Sequence, residues 1–75
     1  MLKIFNSKTK KVPKKYHKDY EFNSRGNCYF VDTYDKKGNL SWSGMFSLKS
    51  DALYIAKLES KNRNNSKVSI QKYKK

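Results

Sequence analysis

Few side chains in this sequence could do covalent chemistry. Cys28 is the only cysteine and His17 the only histidine, and no motif joins them into a nucleophile–base pair. Cys28 opens an apolar run, where a buried structural thiol is expected rather than a reactive one. His17 stands among lysines, where a solvated or phosphate-contacting imidazole is expected. The acids Asp19, Glu21, Asp32, Asp35, Asp51 and Glu59 have no metal-loop spacing. One cysteine forms no internal disulfide and builds no zinc site, and there is no Gly-rich phosphate loop. The sequence points away from an enzyme and away from a metal or organic cofactor.

The other chemistry available is the binding of anions. Eighteen Lys and Arg stand against six Asp and Glu, a net charge of +12 in 75 residues. Residues 1–18 carry Lys3, Lys8, Lys10, Lys11, Lys14, Lys15 and Lys18 with no acid, and residues 61–75 carry Lys61, Arg63, Lys67, Lys72, Lys74 and Lys75 with no acid. Residues 19–60 hold five basic and all six acidic side chains. Such asymmetry suggests a polyanionic partner, DNA or RNA, since each lysine near a phosphate releases condensed counterions. Candidate contacts are Lys8, Lys10, Lys11, Lys14, Lys15, Lys18, Arg25, Lys36, Lys37, Arg63, Lys67 and Lys72. With two arginines only, the bidentate reading of guanine is thinly equipped. The alternative partner is an acidic patch on a host or defence protein, engaged as a phage-type effector would engage it.

These groups need a scaffold, and residues 27–60 are its centre. They hold the only Trp, the only Cys, three of the six Tyr and two of the four Phe. The stretch reads as strand 28–34, a turn at Asp35-Lys36-Lys37-Gly38-Asn39, strand 40–46 and helix 49–61. In the second strand Leu40, Trp42, Gly44 and Phe46 alternate against Ser41, Ser43 and Met45. Ser47 or Ser50 is expected to cap the helix, with Asp51 in its first turn. Leu48, Ala52, Ile55 and Ala56 give the helix an apolar stripe. Phe30 is expected to join Trp42 and Phe46 beneath it, leaving Tyr29 on the open face under an arm or against a base.

Around this centre, Leu2, Ile4 and Phe5 suggest a short first strand. Residues 6–15 read as a basic loop or arm, because Pro13 disfavours helix before it. Tyr20 and Phe22 suggest a strand at 18–23, turned back at residues 23–27. Asn62 to Ser66 form a turn, and 67–73 a final edge strand that would permit a dimer, with Lys74 and Lys75 frayed. The expectation is one α+β domain over 1–75: a small, mainly antiparallel sheet of three to five strands with one helix on one face. No apolar run approaches the roughly 20 residues of a membrane span. The single cysteine fits a reducing cytoplasm. Sixteen lysines to two arginines, with seven asparagines, suggest a phage or a low-GC bacterium.

Trp42-Ser43-Gly44-Met45-Phe46, with Ala52 following, resembles the end of the ethylene-response-factor type of DNA-binding domain, in which a W-x-G-x-F strand runs into an Ala-rich helix. The resemblance covers residues 20–60 and implies three antiparallel strands with a packed helix. It implies scaffold roles for Trp42, Gly44, Phe46 and Ala52. The family reads DNA with Arg and Trp on its sheet, and the strands here lack that series of arginines.

Overall fold

A computed structural model describes residues 2–75; Met1, at the head of the N-terminal basic segment, lies outside the described residues. The elements run β1 (Ile4–Asn6), β2 (Lys10–Lys11), a 3-10 helix (Lys14–Asp19), β3 (Asn27–Tyr34), β4 (Leu40–Phe46), α1 (Lys49–Ser60) and β5 (Lys67–Lys74). They form a five-stranded sheet in the order β1-β5-β3-β4, with β2 also on β5. The β3–β4 and β3–β5 pairs are antiparallel, while β1 and β2 run parallel to β5. With α1 on one face, this is the α+β class that the sequence predicts.

The β3–β4 hairpin forms where expected. Asp35 Oδ1 accepts from the backbone N–H of Lys37 and Asn39, and Gly38 takes a φ of 84°, a conformation that costs a glycine little. The chain then crosses over β3. Because β4 and β5 are both antiparallel to β3 they are parallel to each other, and parallel strands need a crossover of about a dozen residues or more. The 12 residues of α1, about 18 Å long, supply it.

This crossover overturns the expected final edge strand. β5 sits inside the sheet between β3 and the β1/β2 edge, with Val68, Ser69 and Ile70 all buried. Nor is the C-terminus frayed. Lys74 closes β5, and the Lys75 N–H donates to Gly26 O at 2.8 Å.

The arm is also part of the fold. Lys10 and Lys11 pair with Tyr73 and Lys74, and Val12 between them and Pro13 is buried. Pro13 then fixes φ at −56° and opens the 3-10 helix, whose first bond runs from the Tyr16 N–H to Pro13 O at 2.9 Å. No strand forms at 18–23. Residues 20–23 belong to no strand, because β5 has taken the place beside β3 that this segment would need.

The face assignment of β3 is reversed. Register places Tyr29 opposite Phe46, Val31 opposite Gly44 and Thr33 opposite Trp42, and opposed residues share a face. Tyr29 and Val31 therefore join Ala52, Ala56, Val68 and Ile70 in the core under α1, with Leu2, Ile4, Phe46, Leu53 and Ile55 around it. Phe30 lies on the other face. The alternation within each strand was legible in the sequence, but not which phase of β3 meets which phase of β4.

Trp42 is on the helix side yet 43% exposed, not the buried anchor expected, because it stands on an edge strand. Its ring folds along its own strand, so that a Cβ built on Gly44 would lie 2.5 Å from Trp42 Cη2. A bulge shifts the register between Thr33 and Tyr34, so Leu40 pairs with Tyr34 and leaves the face of Trp42. The helix start differs too. Leu48 occupies the N-cap position and no side chain caps the turn, where Ser47 or Ser50 was expected. At the other end, Ser60 Oγ donates to Lys57 O at 2.7 Å and Asn65 Nδ2 to Glu59 O at 2.8 Å, satisfying two terminal carbonyls.

Candidate nucleic-acid interface

The twelve basic candidates are solvent-facing, eleven exposed and Lys72 partly buried. The sheet gathers them into groups. Lys11 and Lys14 line a cleft of about 610 Å3 with Val12, Pro13, His17 and Lys75. Lys10 is beside them in β2, and Lys15 and Lys18 follow in the 3-10 helix. Arg25 reaches a second cleft, of about 470 Å3, with Lys72 of β5 and Lys49 of α1. At the hairpin end, Lys36 and Arg63 line a third, of about 430 Å3, with Lys61. Lys37 is in the hairpin turn, and Lys67 begins β5 opposite Tyr34. Lys8 lies in the link between β1 and β2. The candidates thus do not converge on one patch. They occupy both ends of β5, whose eight residues span roughly 25 Å.

Two turns hold these groups in place. Asn23 Oδ1 accepts from the N–H of Arg25 and of Asn27, and its Nδ2 donates to Ser47 O at 2.9 Å. The turn bearing Arg25 is therefore tied to the end of β4. At the far end the Ser66 N–H donates to Tyr34 O at 2.8 Å and Ser66 Oγ donates to Asp35 O. That links the turn bearing Arg63 to the hairpin bearing Lys36.

Comparison with family models, with curated proteins and with solved structures finds no match. The site is therefore read from its own geometry.

The thiol and the imidazole are both engaged structurally. Cys28 is fully buried, and burial, then the nearby Glu21 carboxylate, pushes its thiol above the usual range, the reverse of what a nucleophile needs. His17 Nε2 donates to Val12 O at 2.9 Å, and the ring stands edge-on to Phe22 at 5.7 Å. Among the described residues no three His, Cys, Asp or Glu side chains gather as a metal site.

The sequence reading missed the face opposite α1. Tyr20, Phe30 and Tyr73 pack there with ring centroids 5.2–5.6 Å apart, and Phe22 stacks on Tyr20 at 5.7 Å. In the middle of the face Asp32 is buried and accepts from Ser43 Oγ at 2.6 Å and from Gln71 Nε2. Tyr73 Oη donates to Gln71 Oε1 at 3.2 Å. Burial above all, with the neighbouring Tyr20 and Asp32, raises the Tyr73 phenol above its ordinary 10.0, so it remains a donor at neutral pH. Tyr29, expected on this face under an arm or against a base, is in the core beneath α1 instead. The signal available in the sequence was the even-numbered run Cys28, Phe30, Asp32, Tyr34, which shares one strand face.

Proposed function

We propose that the protein is a small non-enzymatic nucleic-acid-binding protein, DNA ahead of RNA, of phage or low-GC bacterial origin and acting in the cytoplasm. One observation carries this reading. The two acid-free segments, separated by residues 19–60 in the chain, are hydrogen-bonded neighbours, β1 and β2 against β5. Their like charges raise the energy of the fold, a cost that an anionic ligand relieves. Basic groups at both ends of β5, roughly 25 Å apart, match about seven base-pair steps of duplex, so both can meet phosphates of one ligand. Lysines gripping phosphates give affinity without base reading.

The test is a salt titration. The logarithm of affinity should fall linearly with the logarithm of salt, at about −0.9 per phosphate neutralised on duplex. Replacing Lys10, Lys11, Lys14 and Lys15 together by Gln should flatten that slope by roughly 2–4 while the protein still melts cooperatively. No binding to DNA or RNA at about 150 mM salt overturns the reading.

A second reading, an effector binding an acidic patch on another protein, is favoured by β4. This edge strand has no charged residue, and Leu40 and Trp42 on it are 58% and 43% exposed. Edges without charge invite another strand. Tight binding to one host protein with no nucleic-acid binding would select this reading. A dimer formed through a sheet edge would use β4 or the β1/β2 edge rather than β5.

A further inference from the structure

The face opposite α1 is covered at one end only. Near the start of β3 the rings of Tyr20, Phe22, Phe30 and Tyr73 fill it. Towards the hairpin, Phe5 stays 49% exposed and Tyr34 is half-buried. Register puts both on this face, Tyr34 opposite Lys67 and Phe5 opposite Ser69. The Lys67 ammonium lies between them, 5.4 Å from the Phe5 ring centre and 5.2 Å from that of Tyr34. Two rings are thus fixed on a strand surface and share a cation, with the outer ring open to solvent. A phenyl ring left half in water gives up hydrophobic stabilisation that burial would supply, and among the described residues no element takes it up.

The surroundings say what would cover it. The cleft of Lys36, Lys61 and Arg63 lies at the same end of the sheet. Its wall residue Leu2, whose N–H donates to Ser60 O at 2.9 Å, packs against the core under α1, whereas Phe5, three residues on, is on the opposite face. The turn leading into Lys67 is bonded to Tyr34 through Ser66. An occupant must therefore offer a flat apolar face and an anion side by side. An unpaired nucleotide does so; a base within a duplex has its faces stacked and closed. An acidic peptide would satisfy the cations and leave the rings in water.

We infer that Phe5, Lys67 and Tyr34 bind an unpaired nucleotide of a single strand. The base stacks on Phe5, and its phosphate lies towards Lys67. This rests on the nucleic-acid reading above and deepens it, because it makes the preferred ligand single-stranded.

The experiment measures binding of the intact protein to an oligothymidylate, to the same strand annealed to its complement, and to an oligoglutamate, at about 150 mM salt. Wild type should hold the single strand more tightly than the duplex. Phe5→Ala should weaken the single strand roughly 5- to 150-fold, the loss of one stacked base, with duplex affinity per folded molecule unchanged and only a small fall in melting temperature. Phe5→Tyr, which keeps a ring, should retain binding. If Phe5→Ala binds both nucleic acids as wild type does, the inference fails while the nucleic-acid reading stands. If neither nucleic acid binds, both fail. Oligoglutamate held as tightly as oligothymidylate also overturns the inference, since a carboxylate gains nothing from a ring.

Discussion

The two faces of the sheet are built from the same strands and are held by different means. Under α1 the contacts are apolar and close. Val31, Val68, Ala52 and Ala56 are fully buried, the two alanines letting helix and sheet approach. On the opposite face a carboxylate, an amide and a phenol are satisfied in series, Ser43 and Gln71 donating to Asp32 and Tyr73 donating to Gln71. Aromatic rings close one end of that face and leave the other open. The first face is non-directional burial, which stabilises in proportion to area. The second depends on geometry, since a buried acceptor that loses its donors costs more than a kept bond contributes. Stability is therefore concentrated on one face, and the open surface suited to a ligand is on the other.

This contrast can be broken at its strong side first. Ile70→Ala removes a core side chain of β5, beside Val31 and beneath α1, and should cost about 2–5 kcal/mol. A fold of this length has roughly 4–11 kcal/mol in all. Denaturant unfolding would measure it, and a loss below about 1 kcal/mol would mean that the helix face is not the main source of stability.

The middle of the opposite face comes next. Asp32→Ala leaves Ser43 Oγ and Gln71 Nε2 without their acceptor and should cost about 1–3 kcal/mol. Combined with Gln71→Ala the loss should be less than additive, because both belong to one network. Additive losses would reduce the network to separate contacts.

The smallest effect is expected at the sheet margin. Trp42→Ala should lower stability by roughly 1–2 kcal/mol, less than the 3–5 kcal/mol of a buried aromatic. The ring is nearly half exposed and lies along its own strand over Gly44. Unfolding by Trp42→Ala would return it to the core that its sequence suggests. A small loss would identify β4 as a surface free for a partner.

Trp42 and Tyr29 show where the sequence was legible. Local chemistry was readable because it involves near neighbours. Asp35 and Gly38 form their turn, and Ala52 and Ala56 fall on one helix face. Cys28 begins a strand that buries it. Period-2 alternation likewise separated Tyr29 from Phe30. It could not say which of the two meets α1, because a strand's pattern is unchanged when its phase relative to the next strand is swapped. Both phases of β3 are rich in apolar residues, so composition could not break the tie. The candidate site was legible as a list of lysines and not as a surface, since their grouping depends on which strands pair.

The sequence by itself determined the class of fold, the hairpin and helix of residues 27–60, and the charge asymmetry between the centre and the two ends. Those follow from local propensity, pattern and composition, each decided within a few residues. Tertiary structure alone decided that β5 enters the sheet between β3 and β1. This joins two basic segments from opposite ends of the chain and leaves residues 20–22 to pack across a face rather than form a strand. The parallel pairing of β1 with β5 closes a loop of more than 60 residues. The free energy that selects so distant a pairing is the burial of Val68 and Ile70 beneath a helix which must already be in place, and that is a property of the assembled molecule.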